Sequence, residues 1–175
     1  MIVALVTPGA ILMPWSEKVQ AIVLQFFPGQ EAGNALADVL FGNISPSSKL
    51  PLTMPNVKNE VHFSQEAYPG IPANDPQNVT YKEGLLVGYR WYHHHDVKPK
   101  FAFGFRLSYA TFALSELAAS SSDQCTDISQ GCDVQVNVAR VDTLGDKFES
   151  ASEIVQLYMD VSVNGMTQFC FNGVY

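Results

Sequence analysis

The chain has 175 residues, of which 47% are hydrophobic and 11% aromatic, so it can fill a core and is not of disordered composition. Only 15% of the residues are charged, and 17 acidic against 10 basic side chains give a net charge of −7. No cluster of Lys or Arg forms a basic face, which excludes nucleic acid as a partner, and no apolar stretch is long enough to span a bilayer.

The first 42 residues follow the pattern of an α/β domain. Residues 2–6 (IVALV) form a continuous apolar run, as expected for a strand buried on both faces of a sheet. Residues 21–27 form a second such run, which a Pro-Gly pair ends. Residues 30–40 then show helical spacing, and Gly42 follows where a helix ends with a positive φ. The order of strand, turn and helix predicts a βα unit.

The next part of the chain is less regular. Residues 49–52 predict a short strand within a Pro- and Ser-rich stretch. Residues 56–80 are polar and interrupted by prolines, which predicts a long surface loop. Aromatic side chains return from Tyr81 to Tyr92.

From Leu107 onward, the pattern changes to the period-two alternation of β-structure. Residues 111–114 and 134–138 alternate, and residues 153–163 form a third strand-like run. About three strands are present, against the ~7 of a complete β-sandwich. The sequence therefore predicts an α/β domain over residues 1–106 and an incomplete β-sandwich of the immunoglobulin-like kind over residues 107–175.

Blocks of sequence along the chain resemble those of one enzyme family. Residues 27–42 (FPGQEAGNALADVLFG) resemble the PGQEGGNAIADVLFG block of family 3 glycoside hydrolases of the β-glucosidase type, and residues 47–51 (SSKLP) resemble the SGKLP that follows. Residues 83–92 (EGLLVGYRWY) are similar to EGIxVGYRYY, and residues 101–112 are similar to FPFGHGLSYTTF. Residues 153–158 (EIVQLY) resemble the EVVQLYV strand.

The resemblance implies an enzyme with an amino-terminal barrel, an α/β sandwich and a fibronectin-III-like domain. This chain is then expected to be a carboxy-terminal fragment: the end of the α/β sandwich (1–106) and the opening strands of the third domain (107–175). Such enzymes hydrolyse terminal β-D-glucosidic bonds with retention and without a metal or organic cofactor. A start directly on a strand also favours a fragment.

The resemblance places no catalytic residue in this chain. The family's Asp nucleophile lies in a Ser-Asp-Trp motif on the barrel, and this sequence has no such motif. The acid/base Glu lies upstream of the strand matching residues 2–6. We therefore expect the isolated chain to be inactive, with the missing barrel as its partner and a β-glucoside or oligosaccharide as the parent's substrate.

Two stretches depart from the family pattern. Phe105-Arg106 stands where the family has His-Gly, which puts a large charged side chain at a tight turn. The tail of residues 164–175 matches no part of the family.

Two other functional interpretations remain open from the sequence. One is a non-catalytic, truncated homologue that binds carbohydrate or protein. The weaker one is a small α/β protein that uses Thr7-Pro8-Gly9 as an anion-binding loop, although no phosphate-binding fingerprint follows.

Glu31 is the candidate catalytic carboxylate at the predicted helix start, and Asp38 lies further along the same helix. An acid in the first helical turn is favoured by the helix dipole, and this explains Glu31 without catalysis. Asp38 is seven residues further along, about 10 Å in a helix, whereas a retaining pair needs ~5 Å.

Three further features have structural explanations that we prefer. His93-His94-His95-Asp96 suggests a metal site, but consecutive side chains diverge, and an exposed turn is favoured. Ser108 lacks the glycines of a nucleophile elbow. An aromatic cluster could stack on sugars, but its position favours packing between the two domains. Its members are Tyr89, Trp91, Tyr92, Phe101, Phe103 and Phe105.

Cysteines and sequons indicate the compartment of the parent. Six residues separate Cys125 and Cys132, which are expected to form a disulfide in a secreted protein, although two reduced thiols fit the same spacing. Asn43 and Asn78 each begin an N-glycosylation sequon. We expect a secreted parent, although this chain shows no signal peptide of its own.

Overall fold

The structure is a computed structural model that describes residues 1–68, 78–119, 134–141, 151–156, 161–163 and 166–168. It divides into two compact units. The first consists of Met1–Ala32 and Leu50–Phe105, and the second of Gly33–Lys49 and Arg106–Tyr175. Cys125 and Cys132 lie outside the described residues.

The first unit opens with two parallel strands, β1 (Ile2–Val6) and β2 (Ala21–Gln25), as predicted. The predicted burial of β1 on both faces is wrong for this chain. The side chains of Ile2 and Val6 are 55% and 65% exposed, and exposed residues alternate with half-buried ones along the strand. Within the described residues β1 pairs with β2 alone, and strands in a parallel sheet are buried only where further layers cover them.

Helix α1 (Ala32–Leu40) confirms the predicted helix and begins two residues later than expected. Its end is a Schellman motif. Gly42 has a φ of 74°, and its N–H donates to Val39 O at 3.2 Å. The N–H of Asn43 donates to Asp38 O at 2.8 Å. The positive φ predicted at Gly42 is thus confirmed.

The remainder of the first unit is mostly turns and loops. The strand predicted at residues 49–52 is absent. The Leu50 N–H donates to Phe105 O and the Leu50 carbonyl accepts the Gly104 N–H. The ladder does not continue, because Pro51 has no N–H to donate. Met54, 1% exposed, forms an isolated antiparallel bridge with Phe101. A short helix, α2 (Tyr89–His94), follows the long loop.

The second unit contains an antiparallel pair, β3 (Phe112–Ala119) and β4 (Val134–Arg140), which extends two of the predicted strands. The register shifts between Ser115 and Ala118, where Glu116 has a φ of 54°. The strand predicted over residues 153–163 is confirmed only in part. Residues 153–156 form no strand, residues 157–160 lie outside the described residues, and residues 161–163 form one. Short strands β5 (Val161–Val163) and β6 (Met166–Gln168) form a further pair.

None of the helices in the described parts of the chain has the length and apolar character needed to cross a membrane.

Candidate functional site

Asp38 and Glu31 lie at opposite ends of α1. Glu31 is exposed and directly precedes the first helical residue. Asp38 Oδ1 accepts a hydrogen bond from Asn43 Nδ2 at 3.1 Å, and its carbonyl accepts the N–H groups of Asn43 and Ile44. Asp38 therefore stabilises the end of the helix.

Two exposed carboxylates in the first unit form ion pairs with lysines. Lys100 Nζ lies 2.7 Å from Glu17 Oε1, and Lys82 pairs with Glu66. The hydrogen bond and then the charge of each lysine hold the pKa of its carboxyl partner below the ordinary value of a glutamate. A lowered pKa keeps both groups ionised at neutral pH, which is unsuitable for a general acid.

Glu60 forms a polar cluster with Asn56 and Tyr92, which no pattern in the sequence had indicated. Its Oε2 accepts the Asn56 N–H at 2.9 Å and the Tyr92 hydroxyl at 2.8 Å, and its Oε1 accepts Asn56 Nδ2 at 2.8 Å. Burial raises the pKa of Glu60, but the hydrogen bonds from Asn56 and Tyr92 together lower it by more, so the pKa lies below the ordinary value of a glutamate. Burial, followed by the hydrogen bond to Glu60, raises the pKa of Tyr92.

A buried charged cluster in the second unit joins Lys49, Arg106 and Glu153. Lys49 Nζ lies 3.3 Å from Glu153 Oε1, and Arg106 donates to Glu153 Oε2. The three side chains are only 4%, 11% and 9% exposed, respectively. Arg106 also donates to the carbonyls of Ser47 at 3.1 Å and Ser152 at 3.0 Å. Arg106, the residue that departs from the family pattern, therefore binds residues that are distant from it along the chain on both sides.

Ser108 belongs to a second contact in this unit. Its hydroxyl lies 2.9 Å from the hydroxyl of Ser45, which is 3% exposed and accepts the Tyr109 N–H at 3.1 Å. Ser108 Oγ also accepts the N–H of Ala110 at 3.2 Å. These bonds explain Ser108 as a structural hydroxyl.

His93 and His94 are the exposed last residues of α2, and His95 and Asp96 form an exposed turn directly after it. The predicted exposed turn is therefore confirmed for His95 and Asp96, whereas His93 and His94 are helical. The His95 ring stacks on Trp91 with centroids 4.3 Å apart, and His95 Nδ1 lies 2.9 Å from Trp91 O. In the part of the chain that the structure describes, no three His, Cys, Asp or Glu side chains are grouped as metal ligands.

The predicted aromatic cluster pairs internally in the first unit. Tyr89 stacks on Phe103 at 4.9 Å, and Phe101 lies 5.2 Å from Phe105. The rings therefore pack on one another, and packing between domains stays a prediction.

The sequence comparison decides the family. The profile of the glycosyl hydrolase family 3 C-terminal domain matches residues 1–89. The chain belongs to glycosyl hydrolase family 3. The resemblance inferred from the sequence blocks is thereby confirmed.

Family 3 relatives align well beyond the profile. A β-glucosidase from Rhizobium radiobacter is 38% identical over 161 residues, covering 90% of this chain and 18% of the relative. β-Glucosidase B from Emericella nidulans is 39% identical over 160 residues, covering 87% of this chain and 18% of the relative. The chain thus spans less than a fifth of the length of these family 3 relatives.

Solved family 3 structures share its fold. A β-glucosidase from Streptomyces venezuelae in complex with D-glucose is 37% identical with a TM-score of 0.68, covering 78% of this chain and 17% of that one. A family 3 β-glucosidase from Bifidobacterium adolescentis is 29% identical with a TM-score of 0.74, covering 99% of this chain and 25% of that one. The described helices and small sheets are therefore those of a family 3 C-terminal region.

Proposed function

We propose that this chain is the carboxy-terminal part of a β-glucosidase that hydrolyses terminal β-D-glucosidic bonds with retention. The observation that carries the proposal is the alignment with β-glucosidases over 90% of this chain but 18% of the relative. β-Glucosides and oligosaccharides are the proposed substrates of the whole enzyme.

The proposed role of the chain is scaffold and domain interface, with the catalytic carboxylates supplied by other parts of the parent. Hydrogen bonds or ion pairs engage Asp38, Glu60 and Glu153 with structural partners. Among the acids, the pKa of Glu17, Glu60 and Glu66 is lowered, the opposite of the shift that a general acid needs. The chemistry of two carboxylates requires no metal or organic cofactor.

The exposed apolar surfaces support a partner for the first unit. Phe27, Ile2 and Val6 are 76%, 55% and 65% exposed. Among the described residues, β1 and β2 pair only with each other, and open strand edges can accept further strands. We propose that the remaining α/β sandwich and the amino-terminal barrel of the parent cover these surfaces. For the second unit, we propose a fibronectin-III-like domain begun by β3 and β4.

A secreted parent is part of the proposal. Two sequons and the spacing of Cys125 and Cys132 support it, because disulfides persist in oxidising compartments. Mass mapping of non-reduced peptides from secreted material tests the disulfide, and two free thiols would contradict it.

The function is tested by comparing the turnover of an aryl β-glucoside by four proteins. These are the 175-residue chain, the full-length parent, the parent with Glu31→Gln, and the parent with Glu66→Gln as the matched control. We expect no turnover above buffer for the chain, equal activity for the parent and both variants, and β-glucose as the first product anomer by NMR.

Each alternative has its own outcome. Turnover by the isolated chain would overturn the scaffold role. Selective loss of activity in Glu31→Gln, with the fold intact, would move Glu31 into the active site. A full-length parent that binds oligosaccharides without turnover would support the non-catalytic homologue instead.

A further inference from the structure

The two sequons of the chain differ in how their side chains are engaged. A transferase that modifies a sequon needs the asparagine amide free to react and the hydroxyl two residues later free to be bound. Asn43-Ile44-Ser45 and Asn78-Val79-Thr80 have the same pattern in sequence, so only their surroundings can distinguish them.

The first sequon has both of its reactive groups in use. Asn43 Nδ2 donates to Asp38 Oδ1 at 3.1 Å, and the backbone N–H groups of Asn43 and Ile44 donate to Asp38 O at 2.8 and 3.1 Å. The Ser45 hydroxyl is bonded to Ser108 Oγ and to the Tyr109 N–H, and only 3% of Ser45 is exposed.

A proline restricts the backbone of this sequon even in the unfolded chain. Pro46 directly follows Ser45, and the ring of a proline restricts the preceding residue to extended conformations. It therefore limits the bend in which Asn43 and Ser45 can be presented together. The hydrogen bond between Asn43 and Asp38 restricts the Asn43 side chain further. It can form together with α1, because the two residues are only five positions apart.

The second sequon is open. Asn78, Val79 and Thr80 are all exposed, and no proline follows Thr80. The backbone of Thr80 is held by a hydrogen bond from its N–H to Glu66 O at 3.2 Å, which leaves the side chain at the surface. The neighbouring pair of Lys82 and Glu66 holds the same segment.

We propose that Asn78 is the glycan acceptor of this chain and that Asn43 is not modified. The donor is an oligosaccharide carried on a lipid diphosphate. Asn78 Nδ2 forms a bond to C1 of the sugar and loses one proton, while the bond between C1 and the diphosphate oxygen breaks and the lipid diphosphate leaves. The proposal concerns modification alone and is independent of hydrolytic activity.

The test is expression of the full-length parent through the secretory route of yeast, with analysis of the pooled cell and medium fractions. Glycans are removed enzymatically in ¹⁸O water, so that each occupied asparagine becomes ¹⁸O-labelled aspartate, and occupancy is measured by mass spectrometry. We expect label at Asn78 and none at Asn43. Asn78→Gln should reduce the mobility shift on a gel by one glycan, and Asn43→Gln should leave the shift unchanged.

Two variants test the cause by substitutions close to each sequon. Pro46→Ala combined with Asp38→Ala should produce measurable label at Asn43, and Thr80→Ala should remove the label from Asn78. Equal label at both sites in the unsubstituted chain, or none at Asn78, would overturn the proposal. An unchanged Asn43 in the double variant would overturn the stated cause.

Discussion

Arg106 donates a hydrogen bond to the carboxylate of Glu153, 47 residues further along the chain. Glu153 also lies 3.3 Å from the ammonium group of Lys49, so one buried carboxylate faces two buried cations. In the FPFGHGLSYTTF block that residues 101–112 resemble, a glycine stands at the position of Arg106. The large charged side chain is accommodated in this chain because Glu153 and two carbonyl groups bind it.

Glu153→Gln should strongly destabilise this part of the second unit. The substitution leaves Lys49 and Arg106 buried without a counter-charge, which costs about 3 kcal/mol, or roughly 150-fold faster exchange of the local amides. The measurement is hydrogen exchange of peptides covering residues 45–50, 106–112 and 151–156 in the parent enzyme. Glu66→Gln is the matched control, because both side chains of its ion pair are more than half exposed and solvent screens their charges, so the local amides should exchange at almost the same rate. Equal exchange in both variants would contradict a stabilising role for the cluster.

The pKa of Glu60 should rise when its donors are removed. Tyr92→Phe and Asn56→Ala each delete a hydrogen bond that favours the carboxylate, so each should move the pKa of Glu60 upward. Carboxyl ¹³C NMR titration measures it, and Tyr81→Phe, at an exposed ring, is the control. A Glu60 titration that is insensitive to Tyr92→Phe would show that the hydroxyl contact does not form in solution.

The pKa shifts of Glu60 and Tyr92 predict how stability depends on pH. The pKa of folded Glu60 is lowered, so its contribution is complete above the unfolded pKa of about 4.3 and is lost as the pH falls through the folded pKa. The pKa of folded Tyr92 is raised, so its contribution is present below about pH 10 and is lost as the pH rises beyond that value. The loss of stability at low and at high pH, measured by hydrogen exchange or denaturation, should be smaller in Tyr92→Phe than in the unsubstituted protein.

Gly42 and Gly33 should respond in opposite ways to replacement by alanine. Gly42 has a φ of 74°, where a side chain is strained, so Gly42→Ala should cost about 1 kcal/mol. Gly33 lies inside α1 without a positive φ, and the space that an alanine Cβ would enter is open, so Gly33→Ala should stabilise the helix by up to ~1 kcal/mol. Hydrogen exchange of residues 33–42 measures both effects. A stabilising Gly42→Ala would mean that the helix does not end in the Schellman motif.

The isolated chain should fold poorly. Its open strands and exposed apolar side chains, such as Phe41 at 82% exposure, should bind a hydrophobic dye and give a broad, non-cooperative melt. Addition of the rest of the parent in one polypeptide should reduce dye binding. A sharp two-state transition of the monomeric chain, without dye binding, would contradict this expectation.

The sequence by itself determined the features that depend on neighbours along the chain. The apolar runs located β1 and β2, and the helical stripe with Gly42 located the end of α1, because a strand period or a helix cap involves only a few consecutive residues. Alternation located β3 and β4 to within a few residues. The family was also decided at this level, since its blocks are local and ordered.

Only the tertiary structure decided which distant groups meet. Glu60 is hydrogen-bonded to Tyr92, 32 residues away in sequence, and Ser45 to Ser108, 63 residues away. Neither the hydrophobic pattern nor the spacing of residues in the sequence identifies such partners. Residues 153–156 have the composition of a strand, yet the backbone there forms none, and the Glu153 side chain beside it is held by two cations. The sequence also did not determine the burial of β1. An apolar run shows which side chains a strand can bury, whereas the layers packed around the strand decide which of them are covered.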